Sequence, residues 1–164
     1  MATLLGIIID FSLDHSSLYK DTRLIDLVKK DVIQFIRKID SDNECYFYNE
    51  SNFEIHFNDR GAQVAQIANY DPVYIDIEKA IKQTLFILEN QDDSFDKKIL
   101  YLTNRLNNNN IKRIYRIEQF ISSHNFFTEL HFCLIENQEL IENYNNIISY
   151  NGKEISDFAK EFYV

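Results

Sequence analysis

The stretch that most constrains the fold is Leu4-Leu5-Gly6-Ile7-Ile8-Ile9-Asp10-Phe11-Ser12-Leu13-Asp14, near the start of the chain. A nearly unbroken apolar run has no polar face to offer water. A strand made from it is buried on both sides, as the central strand of a parallel sheet is. The run stops at an acid, a hydroxyl and a second acid on alternate residues. Ligands of open α/β sheets sit outside the carboxyl ends of such strands. Asp10, Ser12 and Asp14 are therefore the first candidate site residues.

After a polar loop over 11–20, Leu24, Leu27, Val28, Val32, Phe35, Ile36 and Ile39 recur at helical spacing, with Asp21 or Thr22 as cap. Residues 44–50 and 53–58 alternate as strands do, with Phe53, Ile55 and Phe57 inward. The short Glu50-Ser51-Asn52 link makes them a hairpin, so one strand pair is antiparallel. Pro72 bars a helix through the irregular 59–73 stretch, where 62–68 forms a short one. A long helix follows over 74–90, with Ile77, Ala80, Ile81, Thr84, Leu85 and Leu88 inward. Strands are expected over 97–103, 126–135 and 147–150, and helices over 111–124, 138–144 and 153–163. Strands alternating with helices give an α/β domain with a mostly parallel sheet and helices on both faces.

Composition sets limits. The 164 residues suit one domain with one core, and 45% apolar with 26% charged residues is ordinary for a globular chain. A net charge of −9 repels phosphate backbones, so nucleic acid is not an expected partner. Lys97, Lys98, Arg105, Lys112, Arg113 and Arg116 are close in sequence, but read as a solvated face. Cys45 and Cys133 sit in apolar segments, as free buried thiols do in a reducing compartment. A disulfide would need them in neighbouring parts of the core. No apolar run approaches the roughly 20 residues that span a bilayer. No basic region followed by an apolar stretch opens the chain. The expectation is a cytoplasmic protein with no membrane contact. Three glycines leave no room for a phosphate loop or dinucleotide fingerprint.

The element order, with its hairpin, and the Asp10-Phe11-Ser12-Leu13-Asp14 stretch together resemble the von Willebrand factor A (vWA) domain family over essentially all of residues 1–164. The resemblance implies a Rossmann-like, doubly wound, six-stranded sheet of order 3-2-1-4-5-6 with one antiparallel edge strand. It also implies a metal-ion-dependent adhesion site beginning Asp-x-Ser-x-Ser, matched here by Asp10 and Ser12, with Asp14 in the third place. The family's threonine before the long helix corresponds to Ile75, which has no oxygen to offer. Its acid after the fourth strand corresponds to Asn104, which offers a carbonyl but no charge. A degenerate site of Asp10, Ser12, Asp14 and Asn104 could still hold Mg2+ or Ca2+ weakly, since both are hard cations that take oxygen ligands. The competing reading is a remnant without metal, in which Ser12 caps a turn and Asp10 accepts backbone N–H groups.

The expected function is a non-enzymatic protein-interaction domain. Its partner would meet the rim carrying Asp10, Ser12, Asp14, Tyr70, Tyr74 and Asn104. Tyr19, Tyr46, Tyr48, Tyr70 and Tyr74 are read as surface rings near that rim, tyrosine being enriched at interface cores. Two alternatives stand beside it. One is a metal-dependent phosphoesterase or nuclease using Asp10 and Asp14, although later strand ends supply few further acids. The other is a structural subunit of a larger assembly.

Overall fold

The computed structural model describes residues 2–10, 18–19, 22–50, 55–70, 75–103, 111–135 and 147–150. Among them the chain runs β1 (Thr3–Asp10), β2 (Leu18–Tyr19), β3 (Thr22–Arg23), α1 (Leu24–Lys38), β4 (Glu44–Phe47), α2 (Arg60–Ala68), α3 (Ile77–Glu89), β5 (Asp96–Thr103), α4 (Ile111–Ser123), β6 (Glu129–Ile135) and β7 (Ile147–Tyr150). Five strands form one sheet in the order β4-β1-β5-β6-β7, every neighbouring pair parallel. All eight residues of β1 are buried, as its apolar run requires. β2, in the stretch read as a polar loop, pairs antiparallel with β3 just after it, apart from that sheet. At two residues each they are too short to leave a readable alternation.

The two faces of the sheet are told apart by β1 itself. Leu5 and Ile7 pair with Cys45 and Phe47, and these face α2: the Cys45 thiol meets Gln63, and the Phe47 ring meets Tyr70 edge-on at 5.3 Å. α1 joins that layer through Lys29, whose ammonium donates to the Ala68 and Tyr70 carbonyls at 3.0 and 2.9 Å. Gly6 faces the other way. A Cβ there would lie 2.6 Å from Thr84 Cγ2 and 3.3 Å from Leu88 Cδ1, so α3 packs directly on the β1 backbone. α4 lies against α3 through the Phe86 and Phe120 rings, 5.7 Å apart, and an Arg116–Glu78 ion pair. The six α3 residues read as inward are all buried. Its four Ile and Leu side chains each contribute roughly 1.5–3 kcal/mol by leaving water.

The expected antiparallel edge strand is absent among the described residues. Residues 55–58 have no strand structure, Ile55 is 49% exposed, and 53–54 lie outside the described residues. The reason is a side chain. Cys45 on the outer edge of β4 donates its N–H to the Phe57 carbonyl at 2.9 Å. Its carbonyl accepts from Gln63 Nε2 at 2.6 Å. The same amide nitrogen donates to the His56 carbonyl at 2.9 Å, and its Oε1 accepts the Cys45 thiol at 3.1 Å. On that edge the Phe57 carbonyl thus answers the Cys45 N–H, and a fully buried glutamine takes the Cys45 carbonyl that a sixth strand would have paired.

Other boundaries shift for local reasons. α3 begins at Ile77 because Asp76 caps it, its carboxylate accepting from the Lys79 N–H at 3.0 Å. α2 likewise begins at Arg60 behind Asp59. α1 starts at Leu24, directly after β3. β6 starts at Glu129 and not at 126. Asn125 takes a left-handed φ of 54°, and Phe126 donates back to the Ile121 carbonyl at 3.0 Å. Glu89 then accepts the Phe127 and Thr128 N–H groups at 3.2 and 3.1 Å. Both cysteines are free and buried. They lie on β4 and β6, three strand spacings or about 14 Å apart, too far for a disulfide. The helices expected over 138–144 and 153–163 fall outside the described residues.

Candidate functional site

Asp10 closes β1 and pairs in register with Thr103, the last residue of β5. Parallel partners point to the same side, so Asp10, Thr103, Ile8 and Tyr101 all face α3 with Gly6. Four residues of strand, about 13 Å, separate Gly6 from Asp10. The same rise along α3, at 1.5 Å per residue, runs from Thr84 back to about residue 75. The carboxylate therefore stands toward the N-terminal end of α3, where the strand ends meet the start of that helix. This is the crevice that open α/β sheets use for ligands.

The carboxylate is not open to that crevice. Asp10 is 2% exposed, and its Oδ2 accepts a hydrogen bond from the Tyr101 hydroxyl. Tyr101 is fully buried, its ring tilted against Phe132 at 5.6 Å. Ile75 is buried as well and brings no side-chain oxygen. On the opposite face the Tyr70 hydroxyl donates to the Ile9 carbonyl at 2.8 Å. The last carbonyl before Asp10 and the Asp10 carboxylate itself are thus each met by a phenol. Ser12, Asp14, Tyr74 and Asn104 lie outside the described residues. Among those described, no three His, Cys, Asp or Glu side chains come together as a metal-ligating group.

The tyrosines correct one expectation. Tyr46, Tyr48 and Tyr70 are 7%, 3% and 5% exposed, so they are core residues and not surface rings. Tyr70 supports the rim from beneath, with its ring on Phe47 and its hydroxyl on β1. Tyr48 donates to Glu50 at 2.8 Å, and Glu50 also pairs with Lys79 at 3.6 Å. Burial, then the Glu50 contact, pushes the Tyr48 phenol well above its usual range; burial alone raises Tyr46 to about 12. Desolvation likewise raises Cys45 to about 12, against the opposing pull of Arg60, and Cys133 to about 12. Neither thiol has the character of a nucleophile.

The basic cluster read as one face also divides. Lys97 is buried, its ammonium donating to the Gln91 carbonyl at 3.0 Å, where it closes the end of α3. Lys98 pairs with Asp96 at 3.3 Å, and Arg116 with Glu78. Lys112 and Arg113 are exposed on α4, and Arg105 lies outside the described residues. His131 on β6 is half-buried and contacts the Glu129 carboxylate at 3.1 Å. At the opposite end of the sheet, Phe86, Phe120, His124 and Phe126 form a ring cluster, with Lys82 4.8 Å over Phe120 and Phe127 89% exposed beside it. Its signal in the sequence is the phenylalanine density of 120–127.

No family model and no curated protein matches the sequence. Solved structures do match the fold. The vWA domain of SpRpn10 superposes with a TM-score of 0.69 at 13% identity, covering 98% of this chain and 95% of that one. The pilus adhesin SpaC of Lactobacillus rhamnosus GG gives 0.71 at 8% identity, and proximal thread matrix protein 1 from the mussel byssus gives 0.63 at 11%. Each covers 98% of this chain, which spans only 30% and 45% of those two proteins. Among the described residues the strand order β4-β1-β5-β6-β7 is the expected 3-2-1-4-5-6 without its third strand. Over nearly its whole length the chain therefore has the fold of a vWA domain.

Proposed function

We propose that this chain is a non-enzymatic protein-interaction domain of vWA type. Its partner is received at the rim where β1, β4 and β5 end; in sequence Ser12 and Asp14 follow β1, Tyr74 precedes α3 and Asn104 follows β5. The observation that carries this reading is the likeness to a whole vWA domain across 98% of the chain. The polar turn of the matching motif follows directly on the central strand. The structure adds two points in support. The described ionisable groups nearest the strand ends are engaged with neighbours, as Asp10 is with Tyr101 and Glu50 with Tyr48 and Lys79. The buried thiols are held protonated, which removes them as nucleophiles. Tyr70 leaves the set of contact residues and becomes a support of the rim.

The test uses a photo-crosslinking amino acid at position 14, at position 104 or, on the outer face of α4, at position 119. Crosslinking of one and the same protein from positions 14 and 104, suppressed by excess wild-type chain, is the expected result. Capture from position 119 alone, with nothing from the other two, would place the interface on the helices and overturn the reading.

A further inference from the structure

We infer that Phe127 anchors a second docking surface, at the end of the sheet away from the rim, for a protein whose apolar pocket is edged by lysine and arginine. The inference does not rest on the rim reading. Phe127 is 89% exposed, whereas Ile55, Phe86 and Tyr115, the other large apolar side chains at the described surface, are 49%, 46% and 46% exposed. Its backbone is held on both sides. Asn125 turns left-handed after α4 and Phe126 donates to the Ile121 carbonyl, and the Phe126 ring packs edge-on to Phe86 at 5.8 Å. On the other side Thr128 is buried. The Glu89 carboxylate accepts the Phe127 N–H, the Thr128 N–H and, at 2.6 Å, the Thr128 hydroxyl. Phe127 stands between two fastened neighbours with its own ring in solvent. A ring presented on a fastened turn binds without the cost of ordering a loop, and buried aromatic anchors carry much of an interface's energy.

The charge around the ring decides what it meets. Phe127 is tied through Glu89 to the end of α3, and the turn after α3 carries Asp92 and Asp93, both exposed. Glu129, two residues beyond Phe127, is exposed at the start of β6. The described cations nearby are engaged by the protein. Lys97 is buried on the Gln91 carbonyl and reaches Asp93 at 3.6 Å, and Lys98 pairs with Asp96 at 3.3 Å. Lys82 lies over the Phe120 ring. A partner therefore meets an apolar ring edged by carboxylates, and basic groups around its pocket complement them. The same charge disfavours other occupants. An anionic lipid surface or a nucleic acid is repelled. A second copy docking through the same patch would set carboxylate against carboxylate, on a chain of net charge −9.

The experiment places p-benzoylphenylalanine, which keeps the aromatic ring, at position 127 in the cells that make this chain. The captured protein is purified, and its Kd is measured at low and high salt for wild type, for Phe127→Ala and for a charge-reversed chain carrying Asp93→Lys and Glu129→Lys. One adduct is expected, competed by excess wild type and not by excess Phe127→Ala. The captured protein should bind Phe127→Ala and the charge-reversed chain each at least about tenfold more weakly than wild type, and bind wild type more weakly as salt rises. Phe127→Ala should melt at the wild-type temperature, because its ring is 89% exposed. If it melts lower, the charge-reversed chain decides. An adduct of twice the chain's mass, an adduct with lipid, or no adduct that excess wild type competes overturns the inference. So does an affinity that charge reversal and salt leave unchanged. Crosslinks from positions 14 and 104 test the rim separately, and their absence leaves these outcomes as they are.

Discussion

Replacing Gly6 with alanine tests how α3 sits on the sheet. The added methyl would lie 2.6 Å from Thr84 Cγ2, where carbon atoms rest at about 3.5–4.0 Å. Thr84 cannot swing away at no cost, because its hydroxyl donates to the Ala80 carbonyl at 2.8 Å and pins the rotamer. Leu88 Cδ1 at 3.3 Å can give by a few tenths of an ångström. The remaining relief is a shift of α3 away from the strand by nearly 1 Å, which forfeits contacts along the buried face of the helix. Overpacking of this kind costs about 1–3 kcal/mol. The lower chain entropy of unfolded alanine returns about 0.4–1 kcal/mol. Gly6→Ala is therefore expected to lose about 1–2 kcal/mol in urea unfolding and about 3–6 °C in calorimetry. Thr84→Ser keeps the hydroxyl bond and deletes the clashing methyl, at about 0.5–1.5 kcal/mol when made alone. In the double variant the alanine methyl fills the space that the serine leaves. It should be more stable than the sum of the single losses by about 1–2 kcal/mol. A Gly6→Ala chain as stable as wild type, or two losses that simply add, would show that this packing argument is wrong.

Gln63→Leu removes the donor to the Cys45 and His56 carbonyls and should lower the urea midpoint by the equivalent of about 2–4 kcal/mol, far more than a change of side-chain size predicts. Tyr70→Phe leaves the Ile9 carbonyl without its hydroxyl and should cost about 1–2 kcal/mol in the same assay, with unchanged far-ultraviolet dichroism. The two thiols predict the alkaline limb of stability. Their folded values, about 12, lie above the ordinary 9.0, so the unfolded chain ionises first. Their contribution is fully present below about pH 9 and is lost as pH rises toward 12. Urea midpoints should accordingly fall across that window and fall less in a Cys45→Ala, Cys133→Ala chain, while thiol reagents should label wild type only as fast as it unfolds.

The sequence made the parallel frame legible because the frame depends on patterns local to each element. Eight residues with no polar face leave little choice but a central strand, and the 3.6-residue spacing of α3 picked out all six of its buried positions. What it hid depends on long-range partners. A tyrosine reads the same whether its hydroxyl meets water or Ile9, so Tyr70 passed as a contact residue. Tyr101 looked like one more bulky residue in a buried strand; the carboxylate it holds lies 91 residues away in sequence. The alternation over 53–58 is a fair strand signal, and Phe57 does reach the β4 edge through one backbone bond, but the Cys45 carbonyl beside it is taken by an amide from α2. Lys97 counted toward a charged patch, although its ammonium is spent on the carbonyls that end α3.

The Gln63 clasp also bears on how this domain meets other chains. A sheet edge with its amides bare is an invitation to a foreign strand, which can extend the sheet by main-chain pairing and begin a fibril as readily as a complex. Here the Cys45 N–H and carbonyl on that edge are already answered from within. Recruitment by strand addition at β4 would have to pull a buried glutamine out of three hydrogen bonds first. Recognition is thereby steered away from backbone templating toward side chains on the rim, and the same lock shields a chain rich in β-forming residues from stacking on its own copies.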